Sequence, residues 1–575
     1  MRFLILGAFF FVITPLSAQF YNGLNMTFGK NRVQWNDFHW SYYRNDKFDI
    51  YYYQGGQDLA KYAQQYAKKQ IPAMENKLGG QFGKKIQFLV FNCLSDFKQS
   101  NINNEEEDTR NTGGITKIIG TKVILYFDGN YVNFETQIRE GIAQLLMSQL
   151  MNGISIGSQI RNSYRYEIPQ WFQDGLCAYV AQDWDSYKEG RLQRGILSGS
   201  YKKINQLHDD DAIIAGYSFW NFIDEKYGSK SFRDVMTLAA STQNVKKALL
   251  YVTGLEYKQL IKDWYNFYQQ RYSTLLQNTP NDPMPMKYRK HRTFTEPCIS
   301  PDGKNIAYVS NDEGRITLWI ENLQTHKKLK LFKAGFRSDE HIDTSFPLLA
   351  WHPNGEILSF IIEEKGKIQL CNIDINTKKK AQTYLFEFQK ITSFSYAHKS
   401  RKIVIAATRD GKPDIFVYNL FSNTVEQITN DFHTDLNPVF SADDKQIYFS
   451  SNRVSDSLNP KIKQSVQAPH FNIYAYHLRA RAKKRLSIHN YHRYNNRKTV
   501  TPGNAIDAIH KIDDVSSPNA HEQSNEHHPP HRPLHNAQLH EKQQHCHQLH
   551  HQPHAVRQRT DVIHKRNASR HCYSR

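Results

Sequence analysis

Apolar positions along this chain follow two different rhythms. In the first part, residues 48–53 and Ile86–Phe91 are rich in β-branched and aromatic residues, which predicts strands. Between them Leu59, Tyr62, Ala63 and Tyr66 recur at three- and four-residue spacing, and the pattern closes at Gly79-Gly80, predicting a helix over Gln57–Leu78. Residues 115–127 read as a hairpin turning at Gly120. Helical spacing returns at 133–151, 169–182, 212–227 and 257–272. Strands followed by helices predict an α+β domain over residues 19–276.

A polar linker, 277–290, carries Pro280, Pro283 and Pro285, and beyond it the rhythm changes to short strands separated by turns. The turns repeat as Ser300-Pro301-Asp302-Gly303, His352-Pro353-Asn354-Gly355, a weaker His398-Lys399-Ser400, and Ser441-Ala442-Asp443-Asp444. Pro presets the first corner, while Asp and Gly tolerate the turn. A spacing of roughly 45 to 50 residues is that of a four-stranded propeller blade, so residues 291–486 predict an all-β, partial propeller of about four blades. The last blade is interrupted by an insertion at 459–469. From residue 487 to 575 no apolar period remains, and the tail, expected to be disordered, holds 16 of the 26 His. The abrupt change resembles a shift of reading frame. A metal-binding role for His545-Cys546-His547 with His550-His551 is the competing expectation.

Composition narrows the function class. Residues 1–18 have a short positive start, an apolar run and a small-residue end, the pattern of a secretory leader and too short to span a bilayer. The expectation is an exported protein, periplasmic or associated with the outer membrane, with no transmembrane span. The formal charge of +19 is concentrated in the tail, where 17 Lys and Arg face 7 Asp and Glu from Arg479 onward. No aromatic-interleaved basic strip accompanies it, so nucleic acid is not an expected partner. Six Cys over 575 residues do not form a disulfide framework, and Cys93, Cys177, Cys298 and Cys371 sit among apolar neighbours as small hydrophobes.

The string Pro169-Gln170-Trp171-Phe172-Gln173-Asp174-Gly175-Leu176-Cys177-Ala178-Tyr179, with the segment Ile138-Arg139-Glu140-Gly141-Ile142-Ala143, resembles the peptidase MA-like, gluzincin-type domains. Such domains precede TolB-like propellers in Bacteroidetes envelope proteins, and the Ser-Pro-Asp-Gly repeats are similar to those of TolB-like, WD-type blades. The resemblance implies a helix bearing His-Glu-x-x-His, whose two His hold zinc and whose Glu is the general base, with a third, carboxylate ligand on a later helix. Carried onto this chain, the His positions are Arg139 and Ala143, the base is Glu140 and the third ligand is Asp174. Arg139 has donors only and Ala143 has none to offer, so the implied domain is inactive, with no metal and no cofactor.

Two roles stay open for the remnant. Either Arg139, Glu140 and Asp174 line a ligand-binding cleft, Arg139 pairing with Asp174, or Glu140 and Arg139 form a solvated or salt-bridged patch on a retained scaffold. Trp171, Phe172, Tyr179 and Trp220 are either core or groove-lining. The expected function is a non-catalytic binding or scaffold protein for proteins or peptides of the cell envelope. The alternatives are a zinc-dependent peptidase with an atypical metal site and the product of a damaged gene.

Overall fold

A computed structural model describes residues 33–100, 121–152, 169–242, 244–276, 292–337, 344–453 and 471–486. The leader, the linker, the insertion and the tail lie outside them. Strands β1 (Ser41–Arg44), β2 (Phe48–Tyr52), β3 (Ile86–Phe91) and β4 (Lys122–Tyr126) form one sheet in that order. The β1/β2 pair is antiparallel, while β2/β3 and β3/β4 are parallel. Helix α1 (Gln57–Leu78) makes the crossover from β2 to β3. Its buried face, Leu59, Ala60, Ala63, Ala67, Ile71, Met74 and Leu78, repeats every three or four residues, and Gly79 ends it at φ 77°. The described end of the hairpin expected over 115–127 forms β4, which pairs parallel with β3; its first half lies outside the described residues. The sheet is thus mixed, with a helical crossover between its strands.

Both sheet faces are covered, which is why β3 and β4 read as nearly unbroken apolar runs. Phe88, Val90, Val123 and Leu125 meet the helices, whereas Leu89, Phe91, Ile124 and Tyr126 meet an aromatic layer with Phe38, Trp40 and Phe97. The short helix α2 (Leu94–Phe97) belongs to that layer. The remaining helices are α3 (Tyr131–Asn152), α4 (Gln170–Ala181), α5 (Ser186–Leu197), α6 (Asp209–Tyr227), α7 (Ser231–Thr242), α8 (Val245–Thr253) and α9 (Tyr257–Leu276). Among the described residues, no helix is long and apolar enough to cross a membrane.

The tightest helix crossing joins α4 to α6, where Gly175 faces Gly216. A Cβ on Gly216 would overlap the carbonyl of Trp171, and one on Gly175 would overlap the backbone of Gly216. Around the crossing Trp171, Phe172, Trp220 and Trp264 are fully buried core. Each indole N–H is satisfied: Trp171 by Asn205 Oδ1 at 2.7 Å, Trp220 by the Phe172 carbonyl at 2.9 Å, and Trp264 by Ser218 Oγ at 3.1 Å.

Four antiparallel four-stranded sheets follow in chain order, a four-bladed propeller array. Blade 1 comprises β5 (Arg292–Ile299), β6 (Asn305–Asp312), β7 (Arg315–Asn322) and β8 (Lys328–Ala334). Blade 2 comprises β9 (Leu348–Trp351), β10 (Ile357–Glu364), β11 (Lys367–Asp374) and β12 (Lys380–Tyr384). Blade 3 comprises β13 (Lys390–Tyr396), β14 (Lys402–Arg409), β15 (Lys412–Asn419) and β16 (Thr424–Gln427). Blade 4 comprises β17 (Asp435–Phe440), β18 (Gln446–Ser451), β19 (Asn472–His477) and β20 (Ala482–Arg485).

Separate apolar layers seal blade 1 to blade 2, blade 2 to blade 3 and blade 3 to blade 4. No comparable packing joins blade 4 to blade 1 among the described residues. The inner strands of blade 3 are accordingly buried along their length, whereas β18 alternates and Phe294 and Ile299 of blade 1 stay 57% and 61% exposed.

The repeated turn has a chemical basis. Ser300 Oγ donates to Asp302 Oδ1 at 2.6 Å and accepts the Asn305 amide at 2.9 Å, and Asp302 also accepts the Lys304 amide. Ser441 and Asp443 repeat this arrangement in blade 4. The weaker turn of blade 3 is ordered from outside: Asp444 of blade 4 accepts the amides of His398, Lys399 and Ser400 at 2.7–2.9 Å.

The α/β domain docks on the rim opposite these turns. Leu59 covers Gly411 in the β14–β15 turn, Lys412 pairs with Asp58 at 3.3 Å, and Gln389 Nε2 donates to the Gly55 carbonyl at 3.2 Å. Phe432, between blades 3 and 4, packs into the domain core against Tyr62 and Tyr131.

Candidate functional site

Helix α3 starts where Asn130 Oδ1 accepts the Val132 amide at 2.9 Å, a side-chain cap. From there α3 carries Arg139, Glu140 and Ala143 across the helical layer and packs against α4, which carries Asp174. The three α3 positions have different environments. Ala143 is fully buried in the domain core. Glu140 is 3% exposed and accepts a hydrogen bond from Gln182 Nε2. Burial pushes its carboxyl up to about 7, against the opposing effects of Gln182, Lys188 and Arg139. The expectation of a solvated patch therefore does not hold for Glu140, because Gln182 and the core exclude water from it.

Arg139 points the other way. Its Nε donates to the Ala181 carbonyl at the end of α4, one Nη to Tyr66 Oη at 2.6 Å, and the other to Thr136 Oγ1 at 3.1 Å and Asp183 Oδ2 at 3.4 Å. Its carboxylate partner is Asp183 and not Asp174, because the guanidinium turns towards α1 and the end of α4. Asp174, half-buried on α4, acts with Glu140 on the Cys177 thiol, which burial first and then these two carboxylates push well up. Cys177 is a buried free thiol, as are Cys93 and Cys371, while Cys298 is half-buried.

Beside Arg139 a cleft of ≈ 340 Å³ opens between α1, α3 and the end of α4, lined by Tyr66, Gln70, Lys77, Arg139, Tyr179 and Asp183 among others. Lys77 Nζ donates to the Val180 carbonyl at 3.1 Å and lies 5.7 Å from the Tyr179 ring centroid. Burial lowers its ammonium, with Asp224 opposing and Arg139 adding to the effect. Tyr179, whose hydroxyl donates to Asp224, is the one residue of the four aromatics considered above that lines the cleft. Trp171, Phe172 and Trp220 belong to the core.

A second constellation was not singled out from sequence. Asp414, Asp431 and Asp435 place carboxylate oxygens within 4.8 Å of one another at the junction of blades 3 and 4. Arg453, 1% exposed, occupies this cluster, donating to Asp431 at 2.9 Å and to both oxygens of Asp435 at 2.7 and 2.5 Å. Its role is structural: one cation neutralises like charges in a dry junction. The only sequence signal for it is register, since Asp435 pairs with Ser451, two residues before Arg453.

No family model matches the chain. Over 160 residues, 28% of this chain, it is 26% identical to a Bacillus subtilis (strain 168) protein named as an uncharacterized peptidase, YuxL, and the match spans 22% of that protein's length. Among solved structures it is similar to TolB from Acinetobacter baumannii, at 18% identity and a TM-score of 0.27 over 34% of this chain and 43% of that one. It is also similar to the β-propeller domain of the Trilobed protease from Pyrococcus furiosus, at 18% identity and a TM-score of 0.24 over 34% and 58% of the two chains. Likenesses at this level assign no function, and the four blades rest on their own strand pairing.

Proposed function

We propose that this chain is an exported, non-catalytic binding protein of the cell envelope, in which a peptidase-like domain without a metal site and a propeller array form one platform for protein or peptide partners. The observation that carries the reading is the pair Arg139 and Ala143. A zinc centre at these positions requires two lone-pair donors on one helix face. Arg139 is instead engaged through its N–H groups by Tyr66, Thr136, Ala181 and Asp183, and Ala143 is sealed in the core. The apolar leader at residues 1–18 supports export, and the propeller array supports protein partners.

One observation favours a second reading, a zinc-dependent peptidase with an atypical site. Burial holds Glu140 at about 7, in the range of a general acid or base, and Asp174 stands on the helix packed against α3. Casein hydrolysis by the purified chain with added zinc separates the two. We expect none, and the same background from Glu140→Gln; hydrolysis that this substitution abolishes would overturn the proposal.

A further inference from the structure

We propose that the cleft between α1 and the end of α4 is a carboxylate-binding site, in which Lys77 and Arg139 hold the carboxylate of a peptide. The inference is independent of whether Glu140 retains any activity.

The two cations converge on adjacent carbonyls, Val180 and Ala181, so two like charges are held close together in a half-buried cleft. The C-terminal end of α4 offsets part of that charge. The carboxylates nearby leave the rest unmatched. Asp183 pairs with Arg139 only at 3.4 Å, with its own side chain 88% exposed, and Asp224 is engaged by the Tyr179 hydroxyl. No carboxylate among the described residues lies within ion-pair distance of Lys77, and one carbonyl accounts for one of its three N–H donors. Lys77 is exposed at the mouth of the cleft, so an incoming anion reaches it freely and supplies the ion-pair partner it lacks.

The shape of the cleft selects among anions. Its volume of ≈ 340 Å³ suits one or two residues of a chain end or loop and not a folded domain. Tyr66 and Tyr179 add aromatic surface to its lining, Ala73 and Met74 apolar surface, and Gln70 an amide that matches a peptide group. Phosphate recognition draws on open arginine forks. Here most of the single fork is already spent and Asp183 stands at the rim, so a singly charged carboxylate fits better.

Calorimetric titration of the full chain tests this with four probes: acetyl-Ala-Ala-Phe as the free acid, the same peptide amidated, amidated acetyl-Ala-Asp-Phe, and inorganic phosphate. We expect the free acid to bind and its amide to bind at least about tenfold more weakly, the loss of one charge-assisted pair. Retention by the Asp peptide identifies a side-chain carboxylate as sufficient, and its loss identifies the chain terminus. Lys77→Met, which keeps the stem, should weaken the free acid by about tenfold, and Lys77→Arg should retain binding. If Lys77 only caps α4, Lys77→Met lowers the melting temperature and leaves the titration unmoved, which overturns the proposal. Equal binding of acid and amide, phosphate bound more tightly than the acid, or no heat from any carboxylate probe would also overturn it. Should Lys77→Met fail to fold, the contrast between acid and amide on the unmodified chain decides.

Discussion

Tyr131, the first residue of α3, donates its phenol hydrogen to the carbonyl of Gly411 at 2.6 Å, joining positions 280 residues apart. Its backbone N–H, one of the donors that a helix start leaves unmatched, goes to Thr434 Oγ1 at 3.2 Å. One buried residue thus ties the helix that carries Arg139 and Glu140 to blades 3 and 4. Burial, reinforced by Asp414, Asp58 and Asp431, pushes the phenol well up and keeps it a donor. The α/β domain and the blades are therefore coupled through backbone groups, and tethering by the linker is not their only connection.

Tyr131→Phe removes the hydroxyl and leaves the Gly411 carbonyl buried without this donor. The expected loss is about 1–3 kcal/mol, read from the urea midpoint. Because the bond joins the two parts, unfolding followed by tryptophan fluorescence, which weighs the α/β domain, should separate from unfolding followed by far-ultraviolet circular dichroism. Coincident curves with an unchanged midpoint would contradict the coupling.

Glu140 makes stability depend on pH. Its carboxyl stands at about 7 in the fold against an ordinary 4.5, so between these values the folded chain holds a proton that the unfolded chain has released. Stability should therefore fall as pH rises from about 4.5 to 7 and level off above, by an amount on the order of 3 kcal/mol. Glu140→Gln, which stays neutral and can still accept from Gln182, should flatten that slope in thermal melts across the window. An identical slope in the variant would assign the pH dependence elsewhere.

The α4–α6 crossing has no room for a methyl group. Gly216→Ala should cost about 3 kcal/mol or more, since the new Cβ meets the rigid Trp171 carbonyl and the helices must separate. Gly190→Ala in α5 is the control. Nothing lies within 4 Å of its Cβ position, so the helical gain of about 0.5–1 kcal/mol should appear as a raised melting temperature. Equal effects of the two substitutions would refute the packing account.

Elements that carry their own punctuation were legible in the chain. Gly79 ends α1 where the apolar period ends, and Ser300 and Asp302 write the blade turn locally. The turn at His398–Ser400 was only a weak repeat because the group that orders it, Asp444, belongs to the next blade. Helix α5 was not legible for a different reason. In α5 only Leu192, Gly195 and Ile196 are buried, too narrow a stripe to stand out among polar neighbours. At the candidate site, the i, i+4 placement of Arg139 and Ala143 on one helix was legible, but their separation into cleft and core was not. That separation depends on Tyr66 from α1 and on Asp183 beyond α4, residues 73 and 44 positions away from Arg139.

The docking of the α/β domain gives the array a direction. The rim bearing Gly411 and Thr434 is occupied by the chain itself. The serine–aspartate turns lie on the other rim, and the blade 1 flank with Phe294 and Ile299 stays uncovered. At blades 3 and 4 the array is thus two-sided: one rim is closed by the α/β domain of the same chain, and the turn rim at 398–400 and 442–443 is exposed.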